Sequence, residues 1–81
     1  MDDALVRRWN ASGKIPERIA ACFARKMASG EISEWEPLPD NEETADDYGV
    51  SVSTVLRAKK ILAENGAAEK HDGVYVRRPN P

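Results

Sequence analysis

Residues 40–66 read DNEETADDYGVSVSTVLRAKKILAENG, and the architecture of the chain follows from this segment. Asp40 is a preferred N-cap residue and predicts a helix over 41–48. Gly49-Val50-Ser51 predicts a tight turn, because glycine lets the chain reverse without a steric clash and serine caps the helix that follows. The second helix is expected over 52–65, where an Asn-Gly pair ends it. Two short helices joined by such a turn are typical of a helix-turn-helix.

A hairpin is predicted directly after this pair of helices. Residues 67–71 form a short extended run, and Asp72-Gly73 is a strong signal for a two-residue hairpin turn. Residues 74–77 return as the second strand. A hairpin in this position is the wing of a winged helix-turn-helix.

The segment before residue 40 adds one more predicted helix. Pro16 favours a helix start, and Gly30 favours a left-handed C-terminal cap, so we expect a helix over 16–29. Apolar residues at helical spacing mark its inner face: Ile19, Cys22, Phe23 and Met27. Residues 1–14 indicate only a short helix or strand.

Other apolar side chains are expected to pack on this framework. Ile32, Trp35 and Leu38 are predicted to point inward from a proline-containing loop, as are Ala45 and Tyr48 from the helix before the turn. The second helix of the pair has its own inner face, formed by Val55, Ala58 and Leu62 at helical spacing.

Together these patterns predict a mostly α fold with a small β-hairpin, a winged helix-turn-helix of three helices plus a two-stranded wing. We expect an N-terminal extension over 1–14, the winged domain over 15–78 and a loose tail over 79–81. The length of 81 residues fits one small domain.

Charge is distributed unevenly along the chain. The net charge is −2, yet residues 1–48 carry six basic and eleven acidic side chains, whereas residues 49–81 carry six basic and three acidic ones. Eight of the acids lie in 31–47, which contains no base. A basic C-terminal part within an acidic chain suits a domain that presents one face to an anion, although a solvated mixed surface is the simpler interpretation.

Composition also limits the other classes of function. The single cysteine, Cys22, excludes an internal disulfide and favours a reducing, cytoplasmic location. We see no secretory signal and no apolar run long enough to span a membrane. No catalytic set, phosphate-binding glycine loop or metal-ligand cluster is visible, so we expect no enzyme activity, no cofactor and no metal site.

The sequence resembles the DNA-binding domain of the GntR family of bacterial transcription regulators over residues 19–76. The matching segments are Ala28-Ser29-Gly30-Glu31-Ile32, Leu38-Pro39, Tyr48-Gly49-Val50-Ser51, Ser53-Thr54-Val55, Glu64-Asn65-Gly66 and Gly73-Val74-Tyr75-Val76. The resemblance implies a winged helix-turn-helix that binds an operator as a dimer. The chain ends where such a regulator would begin its effector-binding half, so we expect a stand-alone small regulator or a fragment.

Six positions depart from that family pattern. Glu42, Val52 and Leu56 stand where the resemblance implies arginines that contact DNA. Lys59 stands at a customary core leucine, and Glu34-Trp35 replaces a customary proline-glycine pair.

The recognition helix and the wing supply the candidate contacts to double-stranded DNA. They are Ser51, Val52, Ser53, Thr54, Arg57, Lys60, Lys70, His71 and Arg77. Hydroxyls and cations bind phosphates and base edges, and an aliphatic side chain can pack on a thymine methyl group. Plain capping by the serines and solvated surface charge are the alternative interpretations. Because one domain offers few cations, we expect a homodimer.

A second hypothesis is a winged-helix domain that binds a protein partner. Val52 and Leu56 are four residues apart and would form a small exposed apolar patch beside the acidic segment 31–47. Together they would form the binding surface in place of a DNA-contacting face.

Overall fold

The computed structural model describes residues 2–79, which form four α-helices and one antiparallel pair of strands. The elements are α1 (Asp3–Ala11), α2 (Ile15–Ala28), α3 (Asn41–Tyr48), α4 (Val52–Glu64), β1 (Ala68–His71) and β2 (Val74–Arg77). The predicted winged helix-turn-helix with a mostly helical fold is confirmed. The predicted number of three helices is wrong, because residues 3–11 form a fourth.

Helix α1 is the element that the sequence did not specify. Asp2 caps it by accepting a hydrogen bond from the backbone N–H of Ala4 at 3.0 Å. The helix packs on α2 and buries Trp9 in the shared core, with Leu5 and Val6 partly buried beside it. Residues 3–11 therefore contribute side chains to the core and are more than an extension of the domain. Met1 and residues 80–81 of the expected tail lie outside the described residues.

Helices α2 and α4 form the centre of the core. Phe23 of α2 and Val55 and Leu62 of α4 are fully buried, as helical spacing predicted. Helix α2 ends with Gly30 in the left-handed conformation, φ +85°, which confirms the predicted cap.

The helix-turn-helix itself follows local capping signals. The Asp40 carboxylate accepts hydrogen bonds from the backbone N–H groups of Glu42 and Glu43, both at 3.1 Å. Gly49 ends α3 with φ +65°, and the Ser51 hydroxyl accepts from the N–H of Thr54 at 3.2 Å. These contacts confirm the predicted helix boundaries to within one residue.

The wing is a tight hairpin with an unpredicted third segment. Asp72 and Gly73 both take positive φ, +51° and +83°, as a two-residue turn of this type requires. Residues 35–38 run along the other edge of β2, because the Leu38 N–H donates to the Tyr75 carbonyl at 2.9 Å and the Trp35 N–H to the Arg77 carbonyl at 2.7 Å. The wing is thereby attached to the segment that precedes α3.

Candidate nucleic-acid interface

The N-terminal half of α4 is the exposed part of the helix-turn-helix. Val55 and Ala58 hold one side of the helix in the core, while Val52, Ser53 and Arg57 lie on its exposed side. Because the first turn of a helix has unpaired N–H groups and a positive dipole end, this half can approach an anion.

The hydroxyl groups at the start of α4 form one small network. Ser51 Oγ lies 3.0 Å from Ser53 Oγ and 2.9 Å from Thr54 Oγ1, in addition to its bond with the Thr54 N–H. The capping interpretation of Ser51 is therefore correct. Thr54 is half-buried and Ser53 is exposed, so Ser53 is the hydroxyl best presented to a ligand.

Two cations lie one turn further along α4. Arg57 and Lys60 are exposed, and neither forms an ion pair with another residue in the range 2–79. With Lys14 they line an open cleft of about 600 Å³ between α4 and the start of α2. Glu17 and Glu64 line the same cleft and reduce its positive charge. Sequence reasoning missed Lys14 because its place beside α4 depends on how the helices pack.

The wing presents Lys70 and His71 on its surface, as expected. Lys70 Nζ lies 5.5 Å from the ring centroid of Tyr75. His71 contacts the carboxylate of Glu69 and stacks on Trp35, with ring centroids 5.9 Å apart. Trp35, predicted to pack inward, instead leaves half of its surface exposed. The Glu69 carboxylate also lies 3.3 Å from Nε of Arg78, so it neutralises part of the positive charge of the wing.

Arg77 differs from its expected position on the wing surface. It is buried, and its Nη1 donates to the carbonyl of Ile32 at 2.6 Å, while its Nε has no partner. The strand register explains this, because Arg77 pairs with Ala68, which is also buried. In this position the guanidinium joins the wing to the loop after α2.

Lys59 is a second buried cation, at the place where the resemblance implied a leucine. Its Nζ donates to the carbonyl of Pro39 at 2.6 Å. Burial lowers the pKa of Lys59, and the nearby carboxylate of Asp40 partly opposes that shift. Lys59 therefore joins α4 to the residue just before the cap of α3.

Apolar side chains are also exposed on α4 and around it. Val52 and Leu56 are 37% and 40% exposed, which confirms that they do not serve the core. Leu56 and Val74 of the wing line a cleft of about 310 Å³ between α4 and the hairpin. Tyr48, expected to face the core, also lies partly exposed beside the turn.

Residues 2–79 lack two features that would indicate other kinds of function. No helix in that range is long and apolar enough to cross a membrane. In the same part of the chain, no group of three or more histidine, cysteine, aspartate or glutamate side chains could hold a metal ion.

Comparison with known proteins supports the resemblance to the GntR family. A crystal structure described as a GntR-family transcriptional regulator matches with a TM-score of 0.76 and 26% identity, covering 85% of this chain and 28% of that one. YtrA from Sulfolobus acidocaldarius, a GntR-family transcription factor, matches with a TM-score of 0.77 and 27% identity, covering 86% of this chain and 74% of YtrA. No family model and no curated protein matches the sequence. The predicted likeness to a GntR winged helix-turn-helix is confirmed, and the chain spans only about a quarter of the first of these proteins.

Proposed function

We propose that the chain is a DNA-binding transcription regulator whose helix α4 enters the major groove of double-stranded DNA. The observation that carries this proposal is the exposed N-terminal half of α4, which follows a capped turn and precedes a wing. The two GntR-family regulators match the fold over most of this chain, which supports the proposal. Regulation of transcription also suits the cytoplasmic location inferred from the single cysteine.

The contacts we propose on α4 divide by chemistry. Arg57 and Lys60 bind phosphates, since they are exposed cations without a partner among the described residues. Ser53 reaches a phosphate or a base edge, and Val52 packs on a thymine methyl group. Ser51 and Thr54 act mainly by fixing the first turn of the helix.

The wing contributes fewer contacts than the sequence suggested. Lys70 and His71 are exposed and can approach the DNA backbone. Arg77 is buried, so its proposed part is to keep the wing attached to the body through Ile32. This leaves few phosphate contacts for each copy, which supports binding as a homodimer to two half-sites.

Selection from a random double-stranded DNA library at low salt tests this function. We expect enrichment of a site with two inverted half-sites. Recovery of no common sequence, together with binding that vanishes on modest addition of salt, would overturn sequence-specific regulation. Arg57→Ala tests the proposed docking face, and Arg8→Ala is its matched control, because Arg8 is an equally charged, exposed residue on α1.

A protein-interaction module is the second candidate. The exposure of Val52 and Leu56 favours it, because these aliphatic side chains lie where the resemblance implied arginines. Helix α3 lies immediately before α4 in the chain, and its exposed acids include Glu42. Under this hypothesis Leu56→Asp abolishes capture of a protein partner and leaves the helical circular dichroism unchanged. Retained capture by that variant would count against it.

A further inference from the structure

The cleft between α4 and the wing brings together polar and apolar groups from three parts of the chain. Its volume is about 310 Å³, at the lower end of the range for ligand pockets, so it suits a small molecule. Helix α4 provides Leu56 and Lys59, and the hairpin provides residues 73–75. The third wall includes Asp40 and Asn41, where α3 begins.

The ammonium group of Lys59 is the buried cation of this cleft. Only 5% of Lys59 is exposed, and among the described residues its Nζ donates to a single acceptor, the Pro39 carbonyl at 2.6 Å. An ammonium group has three protons to donate, so two of them lack a protein acceptor within residues 2–79. An anionic group that enters the cleft would therefore gain charge-assisted hydrogen bonds from Lys59.

Hydrogen-bond acceptors from α3 and its cap line the same cleft. Burial lowers the pKa of Lys59 and the Asp40 carboxylate opposes that shift, so the two groups lie near each other, yet within residues 2–79 they form no ion pair. Oδ2 of Asp40 accepts both capping hydrogen bonds, which leaves Oδ1 for another donor. Oδ1 of Asn41 is shielded from water and has no partner among the described residues. Rotation of this amide toward the cleft therefore sacrifices no hydrogen bond of that oxygen.

Apolar side chains form other parts of the wall. Leu56 on α4 is 40% exposed and Val74 on the wing is 49% exposed, and the half-buried Tyr75 also lines the cleft. Removal of these surfaces from water favours the binding of an apolar group. The cleft thus combines a cation, acceptors for a donor and apolar walls in a space of small-molecule size.

We propose that this cleft binds a free α-amino acid with an apolar side chain. Its carboxylate accepts hydrogen bonds from Lys59, and its ammonium group donates to Asp40 and Asn41. Its side chain packs against Leu56 and Val74. A zwitterion matches the cleft in charge, because a simple carboxylate or a simple amine would satisfy only one of the two charged groups. The ligand binds the free protein, so the proposal stands or fails separately from DNA binding.

Isothermal titration calorimetry of the free protein with four small molecules tests the chemistry of the ligand. L-Leucine is the probe. Isocaproate lacks its ammonium group, isoamylamine lacks its carboxylate and glycine lacks its apolar side chain. We expect each of these three to bind at least about tenfold more weakly than leucine, because each loses charge-assisted hydrogen bonds or the apolar contact. Absence of leucine binding at millimolar concentration, or binding of isocaproate as tight as that of leucine, would overturn the proposal.

Two variants test the charged groups of the cleft. Lys59→Leu removes the cation, and Asp40→Asn removes the carboxylate charge while retaining a preferred N-cap residue for α3. Each should weaken leucine binding by about tenfold or more. Lys26→Leu is the matched control, because Lys26 belongs to α2 and does not line the cleft. Circular dichroism shows that each variant is folded. Leucine affinity unchanged in Lys59→Leu, or equally weakened in Lys26→Leu, would contradict the proposed site.

Backbone amide signals in nuclear magnetic resonance spectra locate the bound molecule. We expect leucine to shift the signals of Leu56, Gly73 and Val74, which line the cleft, and to leave those of α1 unchanged. Shifts centred on residues outside the cleft would assign leucine to another site and overturn the proposal.

Discussion

The ammonium group of Lys59 lies 2.6 Å from the carbonyl oxygen of Pro39, although the lysine is buried in the middle of α4. One neutral acceptor is poor compensation for a buried charge that could donate three hydrogen bonds. We therefore expect Lys59→Leu to raise the free energy of unfolding by about 1 kcal/mol, as replacement of buried ionic groups by apolar ones often does. Urea unfolding of the two proteins at neutral pH measures the difference. Lys59→Ala should instead destabilise, because it leaves a cavity.

The same residue predicts a pH dependence. Since burial lowers the pKa of Lys59 in the folded chain, the unfolded chain binds the proton more tightly, and unfolding takes up a proton at pH values between the lowered pKa and the ordinary value of 10.5. The contribution of Lys59 to stability therefore becomes less unfavourable as pH rises through that window. The advantage of Lys59→Leu over the wild type should shrink from pH 7 to pH 10 in urea unfolding. An advantage that stays constant would show that Lys59 carries no such penalty.

If Arg57 and Lys60 contact phosphates as proposed, removal of either contact changes the salt dependence of DNA binding measurably. Each phosphate contact steepens the decrease of log K with log salt by about 0.9. Arg57→Ala should therefore reduce the steepness by about one and weaken binding to all DNA sequences alike, as measured by fluorescence anisotropy. Arg8→Ala makes the same charge change on α1 and should leave the slope nearly unchanged. Unchanged affinity of Arg57→Ala at low salt would show that the docking face lies elsewhere.

Trp35 predicts an unusual order of stability among substitutions. It takes φ +62°, a conformation that costs a residue with a side chain roughly 1 kcal/mol and glycine almost nothing. Both Trp35→Ala and Trp35→Gly lose the stacking on His71, but only the glycine variant removes the strain. We expect Trp35→Gly to be more stable than Trp35→Ala by about 1 kcal/mol in urea unfolding. The reverse order would mean that the loop changes conformation in the variants.

Trp9 tests whether α1 is part of the cooperative core. Removal of a buried tryptophan side chain costs about 3–5 kcal/mol, so Trp9→Ala should lower the free energy of unfolding by an amount of that order. Arg8→Ala, one position earlier on the exposed side, should change it by less than about 0.5 kcal/mol. Similar small effects of both variants in thermal unfolding would indicate that α1 folds independently of the rest.

Much of the candidate site was predictable because its signals act over a few residues. Asp40 and Ser51 cap their helices by accepting hydrogen bonds from backbone N–H groups within the next three positions. Gly49 permits the turn between those helices. The exposure of Arg57 and Lys60 followed from the helical spacing of the buried residues on the opposite face. These features needed no knowledge of distant parts of the chain.

Other features depend on segments that are far apart in sequence. Lys14 reaches the cleft beside Arg57 only because α2 packs across α4. Trp35 stacks on His71 because its segment pairs with β2, a contact between residues 36 positions apart. A sequence pattern with a period of a few residues carries no information about such pairings.

By itself, therefore, the sequence determined the order of elements from α2 to β2, the caps and turns between them and the exposed face of α4, since each depends on interactions between near neighbours in the chain. The tertiary structure alone decided that α1 joins the core through Trp9 and that Lys59 is tied to Pro39. It also decided that Arg77 is buried against Ile32 instead of facing solvent. Alternation along a strand separates two faces, but which face is covered depends on what packs against it, and here the covering elements come from distant positions.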